Sequence, residues 1–227
     1  ETWSTIYNQS TAQIYRMDVD NQFPYRVYGT QQDNTALAVP SRSNAGAIRW
    51  SDCHITGSSE SGHIVVRPDN PNIVISGALG SSPGSGAVML RYNHSTGQST
   101  SITVWPDRIG LTTSDRKYRF EWDNPIVISP HDPDVIYSAG NVVFKTTNEG
   151  ASWEVISPDL TRDELGENEE INPITNIAPF DRCTITRIAE SPTERGVLWV
   201  GTSDGLIQVS RDNGHSWRNV TPPDLPP

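Results

Sequence analysis

The sequence predicts an all-β fold, a segment of a β-propeller with about four four-stranded antiparallel blades. The stretch SRDNGHSW at 210–217 is repeated without a gap as TTNEGASW at 146–153. Pro68, Pro130 and Pro192 recur at a constant interval of 62 residues. Each interval contains four short runs of strand-forming residues, and the turns between them are too short to hold a helix. Repeats of this kind are typical of propeller blades.

The repeated units divide the whole chain, 1–227, into predicted blades at 5–50, 58–106, 118–160 and 182–222. In the irregular first blade, YRVYGTQQDN at 25–34 is predicted as the second strand, and GHIVV opens the next blade. Each later blade begins with an apolar run, a Pro-rich turn and a second run, as in IVVRPDNPNIVISG, IVISPHDPDVIYSAG and IAESPTERGVLWVGT. In the second blade, YNHSTGQST stands where the repeated turn is expected, with His94 or Ser95 at its Asp position.

The repeated turn is predicted to fasten the fold rather than to do chemistry. Its Asp or Asn can accept hydrogen bonds from its own turn, its Gly can take a positive φ, and its Trp can bury a large ring against the blade. No base stands beside the serine. The predicted structural residues are Thr146, Asn148, Gly150, Trp153, Ser210, Asp212, Gly214 and Trp217.

An acidic segment, TRDELGENEEINPITN at 161–176, is predicted as a solvated insertion between the last two blades. Its carboxylates could in principle bind calcium. Their spacing matches no EF-hand loop, so no metal site is predicted here. The residues considered are Asp163, Glu164, Glu167, Glu169 and Glu170.

Composition limits the function classes. The net charge of −10 argues against binding a nucleic-acid backbone, and no apolar run is long enough to span a bilayer. No motif predicts a cofactor. Cys53 and Cys183 could form a disulfide or remain thiols, and the sequence favours neither.

The two repeated stretches resemble Asp boxes, the BNR repeats of sialidases, xyloglucanases and sortilin-type receptors. NQFPYRVYGTQQDN, YRFEWDNPIVISPHDP, GASWEVISPDLTRD, CTITRIAESP and GVLWVGTSDGLIQVSRDNGHSWRNVTPPDLP together resemble the large bacterial BNR-repeat proteins labelled glycosyl hydrolase or sortilin-like. The resemblance implies a propeller module in an extracytoplasmic protein. Because ETWS at 1–4 looks like the second half of another box, the chain is expected to be an internal piece with further blades in the same polypeptide.

In propellers, ligands usually meet the loops that lead into each first strand. Those loops offer Glu60 and His63, then Tyr118, Arg119, Glu121, Trp122 and Asp123, then Asp181 and Arg182. Aromatic rings beside charged groups suit a sugar. His63, Tyr118, Arg119 and Trp122, with Asp33 from QQDN, are therefore candidate ligand-binding residues. The alternatives are blade packing for Tyr118 and Trp122, a hairpin turn for Asp33 and a turn cap for Asp123.

Three functions remain open from the sequence. The first is a module that binds carbohydrate or peptide. The second is part of a glycoside hydrolase of the xyloglucanase or sialidase kind, which needs two facing carboxylates; Glu60, Glu121 and Asp123 are the candidates. The third is a purely structural segment. The sequence favours the binding module, since no motif singles out a catalytic carboxylate.

Overall fold

The structure is a computed structural model that describes residues 12–57, 62–77, 87–105, 117–121, 123–162 and 183–224. Within these residues the chain forms four sheets, each of four antiparallel strands. This confirms the predicted all-β fold with four propeller blades. Each sheet uses four strands that are consecutive in the chain, because the connections are tight and neighbouring strands pair directly.

The strands follow the chain blade by blade. Blade 1 contains β1 (Ile14–Val19), β2 (Arg26–Gln31), β3 (Leu37–Pro40) and β4 (His54–Ile55). Blade 2 contains β5 (Ile64–Val66), β6 (Ile73–Gly77), β7 (Met89–Asn93) and β8 (Gln98–Ser101). Blade 3 contains β9 (Ile126–Ile128), β10 (Ile136–Ala139), β11 (Val143–Thr146) and β12 (Glu154–Val155). Blade 4 contains β13 (Ile185–Glu190), β14 (Leu198–Thr202), β15 (Ile207–Ser210) and β16 (Arg218–Asn219).

The hydrophobic core lies between neighbouring blades. Tyr28 of blade 1 packs with Ile64 and Val74 of blade 2. Blades 2 and 3 share a second cluster that includes Met89 and Phe144. A third cluster joins Tyr137, Val143 and Leu160 of blade 3 to Ile185, Leu198 and Val200 of blade 4. A blade therefore buries its apolar face only by stacking on the next one, which explains why the strand pattern repeats.

The two repeated turns lie between the third and fourth strands of blades 3 and 4. In blade 4, Asp212 Oδ1 accepts hydrogen bonds from Ser210 Oγ and the Ser216 backbone N–H, both at 2.9 Å. Gly214, at φ +91°, donates its N–H to Ser210 Oγ at 2.8 Å. Asn148 Oδ1 likewise accepts from Thr146 Oγ1 and the Ser152 N–H in blade 3. Each turn thus satisfies its own polar groups.

The tryptophan of each turn reaches the preceding blade, which the sequence pattern did not predict. Trp217 Nε1 donates to the carbonyl oxygen of Ile156, just after β12, at 3.1 Å. Trp153 Nε1 donates to the carbonyl oxygen of Ile102, just after β8, also at 3.1 Å. The repeated turn therefore links one blade to the blade before it, in addition to closing its own hairpin.

Cys53 and Cys183 are not joined in a disulfide; Cys183 is buried and Cys53 is half-buried. In the part of the chain that the structure describes, no helix has the length and apolar character required to cross a membrane. Most of the acidic segment, including all five carboxylates considered for calcium, lies outside the described residues.

Candidate functional site

The first strands of the four blades lie side by side. β1 contacts β5, β5 contacts β9, and β9 contacts β13. Because all four strands run in the same sense relative to their blades, the residues at their beginnings come together at one end of the molecule. Arg16 lies in β1, His63 directly precedes β5, Asp123 precedes β9, and Arg187 lies in β13. We call these four residues the axial cluster.

Direct contacts connect three members of the axial cluster. Arg16 and Asp123 form an ion pair through Nη2 and Oδ2. Arg16 Nε donates a hydrogen bond to His63 Nε2 at 3.3 Å, and the same His63 nitrogen lies 3.8 Å from Asp123 Oδ1. Since His63 Nε2 accepts from Arg16, the imidazole is neutral, with its proton on Nδ1. Blades 1, 2 and 3 therefore each contribute one side chain to a single polar contact.

The electrostatics of the cluster separate its two titratable groups. Burial lowers the pKa of His63 to about 3, and the charges of Arg16 and Arg187 act in the same direction. Burial raises the pKa of Asp123 to about 6, outweighing the attraction of Arg16 and Arg187, and the negative charge of Glu121 adds to the rise. At neutral pH the site thus holds a neutral imidazole beside a carboxyl group that titrates close to pH 6.

Asp123 is the most unusual carboxyl group of the site. Only 12% of its side chain is exposed, and Oδ1 is buried without a hydrogen-bond partner among the described residues. A buried carboxylate oxygen without a donor is costly, so this oxygen favours either a proton or a ligand that donates to it. A buried carboxyl group with a raised pKa at a site where several blades meet is a typical candidate for a functional residue.

Two candidates from the loop before β9 have structural contacts. The Tyr118 ring packs edge-on against Trp105 and Phe144, with ring centroids 5.3 and 5.0 Å apart, which is the packing alternative considered for it. Arg119 bridges blades 3 and 4: it pairs with Asp159 at 2.8 Å and donates to the Cys183 carbonyl oxygen at 3.3 Å.

Asp33 lies in the turn between β2 and β3, with φ +52°. Its Oδ1 accepts a hydrogen bond from Gln32 Nε2 at 2.7 Å, and Gln32 in turn accepts from the Tyr15 hydroxyl, next to Arg16 in the chain. These contacts fit the hairpin alternative and place Asp33 at the end of blade 1 where β1 begins. Glu60, Trp122, Asp181 and Arg182 lie outside the described residues.

Sequence reasoning missed both arginines of the cluster. Arg16 and Arg187 are each the third residue of the first strand of their blade, and both strands have a register irregularity beside them. One signal in the sequence could have found them. The repeat pattern predicts that the first strand of each blade is buried, and a charged residue inside such a strand stands out. Two of the residues predicted from the loops before the first strands, His63 and Asp123, lie in this cluster.

No metal site accompanies the cluster in the part of the chain that is described. There, no group of three or more His, Cys, Asp or Glu side chains could hold a metal ion.

The fold and its axial cluster define a β-propeller segment with a polar site on its axis. No known protein-family profile matches the chain. It is 28% identical over 104 residues to the oligoxyloglucan-reducing end-specific xyloglucanase of Emericella nidulans, an alignment that covers 42% of this chain and 11% of that protein.

Two solved structures are similar to this chain, and the first of them shares its fold. One is a GH74 xyloglucanase from Xanthomonas campestris, at a TM-score of 0.60 and 16% identity, covering 95% of this chain and 31% of that one. The other is a GH74 enzyme from Niastella koreensis, at a TM-score of 0.49 and 17% identity, covering 86% and 22%. The chain spans less than a third of each of these three proteins.

Proposed function

We propose that this chain is part of an extracytoplasmic glycoside hydrolase and that the axial cluster contributes to its sugar-cleaving site. Asp123 carries the proposal, because its buried carboxyl group titrates close to pH 6 and has an oxygen without a hydrogen-bond partner among the described residues. Glycosidases need such a carboxylic acid, still protonated near the working pH, to donate a proton to the leaving oxygen. The partial similarity to a xyloglucanase supports a β-glucan as the substrate class.

The other cluster residues have positioning roles in this proposal. Arg16 holds one carboxylate oxygen of Asp123, while His63 accepts from Arg16 and keeps that guanidinium in place. The second oxygen, Oδ1, has no such partner among the described residues and is then the atom on which the proton resides. Arg187, which is exposed, donates to the Thr186 carbonyl oxygen and keeps further donors for sugar hydroxyls.

Hydrolysis also needs a second carboxylate as base or nucleophile. Glu121 is a candidate, since its charge contributes to the raised pKa of Asp123. Glu60, three residues before His63, is the other candidate from this chain. Because the matched enzymes are much longer, the second carboxylate could also come from blades elsewhere in the polypeptide.

The test is hydrolysis of xyloglucan and cello-oligosaccharides by the full-length protein. We expect Asp123→Asn to lower kcat by about 10²-fold or more and to abolish the fall in activity as pH rises through about 6. Asp132→Asn is the matched control. Asp132 lies on the turn after β9 and pairs there with the exposed Arg195. Full activity of Asp123→Asn, with an unchanged pH profile, would contradict the proposal.

The binding module favoured by the sequence remains the second candidate. The observation that favours it is the ion pair of Asp123 with Arg16, an arrangement that also suits a carboxylate used only to bind sugar hydroxyls. In that case the wild-type protein binds the oligosaccharides and releases no reducing sugar, and Asp123→Asn weakens binding. A protein with neither activity across a broad sugar panel would instead point to a peptide ligand or a structural segment.

A further inference from the structure

Blade 1 departs from the repeat at the place where the other blades have their tight turn. The connection from β3 to β4 comprises 13 residues, 41–53, whereas four residues join β7 to β8 and seven join the corresponding strands of blades 3 and 4. A long connection at a position that is otherwise a short turn is more often functional than structural. The loop 41–53 therefore calls for an explanation that the repeat does not supply.

The long loop is held in place by specific hydrogen bonds. Arg26 Nη1 donates to the Asp52 carbonyl oxygen at 3.0 Å, and Asp52 Oδ2 accepts from the Arg49 N–H at 2.8 Å. Ser41 donates its N–H to the Tyr25 carbonyl oxygen at 2.8 Å. A 3₁₀ turn at Trp50–Asp52 completes the loop. These bonds hold the loop against the β1–β2 connection, so the groove between them exists without a ligand.

The groove has a volume of about 590 Å³, within the range of small-molecule sites. Phe23, Pro24 and Pro40 form apolar parts of its wall, while Gln22, Arg42 and Asn44 contribute polar side chains. Phe23 is 89% exposed, and Trp50, next to the lining residue Ser51, is 71% exposed. The groove thus places an exposed aromatic ring, that of Phe23, beside amide and guanidinium groups.

We propose that this groove is a second carbohydrate-binding site, distinct from the axial cluster. A sugar ring has an apolar face that stacks on an aromatic ring and a rim of hydroxyls that bonds polar side chains, which matches a wall of alternating character. A protein partner would favour a continuous apolar patch, which the lining does not form. The choice of a glycan as the ligand rests on the proposed function. The inference that a ligand binds at this place rests on the long loop and the exposed rings.

The groove and the axial cluster face opposite ends of the molecule. Arg16 lies near the beginning of β1, and Phe23 lies in the connection after its end. One short oligosaccharide cannot occupy both sites. The groove therefore serves a polymeric chain, holding one part of a polysaccharide to the protein while other segments reach the axial cluster.

The test measures binding of soluble xyloglucan and cellotetraose to the full-length protein carrying Asp123→Asn, which keeps the ligand intact. We expect Phe23→Ala and Trp50→Ala each to weaken xyloglucan binding by about tenfold, and Arg42→Ala to weaken it less. In the protein with Asp123 intact, the same changes should leave hydrolysis of cellotetraose unchanged. Trp199→Ala is the matched control, since Trp199 is a 42% exposed tryptophan on blade 4, away from the groove.

The outcomes separate this inference from the proposed function. Unchanged xyloglucan binding by Phe23→Ala and Trp50→Ala, with folding verified by thermal unfolding, overturns the groove site. This holds whatever the effect of Asp123→Asn on hydrolysis. A change of oligomeric state in these variants on sedimentation, without a change in sugar binding, overturns it in favour of a protein contact. Groove-dependent binding in a protein that shows no hydrolysis at all supports the groove and contradicts the proposed enzyme.

Discussion

At the scale of single residues, the axial cluster couples folding to pH in two opposite directions. The pKa of Asp123 is raised in the folded state to about 6, so between about pH 4 and 6 the folded protein holds a proton that the unfolded chain has lost. Stability from this group is present at low pH and is lost as pH rises through 6. The pKa of His63 is lowered to about 3, so between pH 3 and 6.5 the unfolded chain binds the extra proton, and stability rises with pH.

Replacing Asp123 should therefore change the slope of stability against pH. The wild-type protein loses stability as Asp123 ionises, and Asp123→Asn has no group to ionise. As pH rises from 4 to 6, the free energy of unfolding of Asp123→Asn is therefore expected to increase relative to wild type. His63→Gln, which keeps an acceptor for Arg16, should give the opposite change in slope. Urea unfolding at four pH values from 4 to 7 measures both. Parallel curves for wild type and Asp123→Asn would show that this carboxyl group does not titrate differently in the folded state.

At the scale of elements, the repeated turn depends on glycine for two separate reasons. Gly214 has φ +91°, and a Cβ at this position would lie 2.7 Å from the Ile156 carbonyl oxygen of the preceding blade. Gly97, in the turn of blade 2, has φ +70° and no atom within 4 Å of an added Cβ. Gly97→Ala should cost about 1 kcal/mol for the backbone conformation alone, and Gly214→Ala clearly more. If Gly97→Ala and Gly214→Ala lowered the free energy of unfolding equally in urea, the turn of blade 4 would not be in close contact with blade 3.

The boundary between blades 1 and 2 uses a different fastener. His54 of β4 stacks on His94, with ring centroids 3.7 Å apart, at the position where the later blades have their repeated turn. Burial, together with the charges of His94 and Arg26, lowers the pKa of His54 to about 4. Stability from this pair should fall as pH drops from 6.5 toward 4, because the unfolded chain gains the proton first. We expect His54→Phe, which keeps a stacked ring, to flatten this dependence in thermal unfolding, whereas an unchanged profile would assign it to other groups.

At the scale of the whole molecule, the repeat explains what the sequence could and could not predict. Strand order and the turns at 146–153 and 210–217 follow from local patterns, so the four-bladed segment was predictable from the sequence. The link from Trp217 to Ile156 joins residues 61 apart, and the meeting of Arg16, His63 and Asp123 joins three blades. Contacts between blades depend on how the blades stack, which no periodicity within one blade records.

We expect charged contacts between blades to make the segment unfold as one unit rather than blade by blade. Arg67 of blade 2 has a side chain only 8% exposed and pairs with Asp134 and Glu149 of blade 3, both at 2.8 Å. Asp134 is 64% exposed and Glu149 also pairs with Arg91, so both carboxylates remain solvated or paired without Arg67. Losing the nearly buried guanidinium and its charge-assisted hydrogen bonds in Arg67→Gln should therefore cost about 1–2 kcal/mol. Arg195→Gln is the control, because its pair with Asp132 also joins two blades but is exposed and should cost under about 1 kcal/mol.

Because Arg67 holds two blades together, its loss should also broaden the denaturant transition, as blades begin to unfold separately. A transition that shifts without broadening would mean that the apolar clusters between blades maintain cooperativity by themselves.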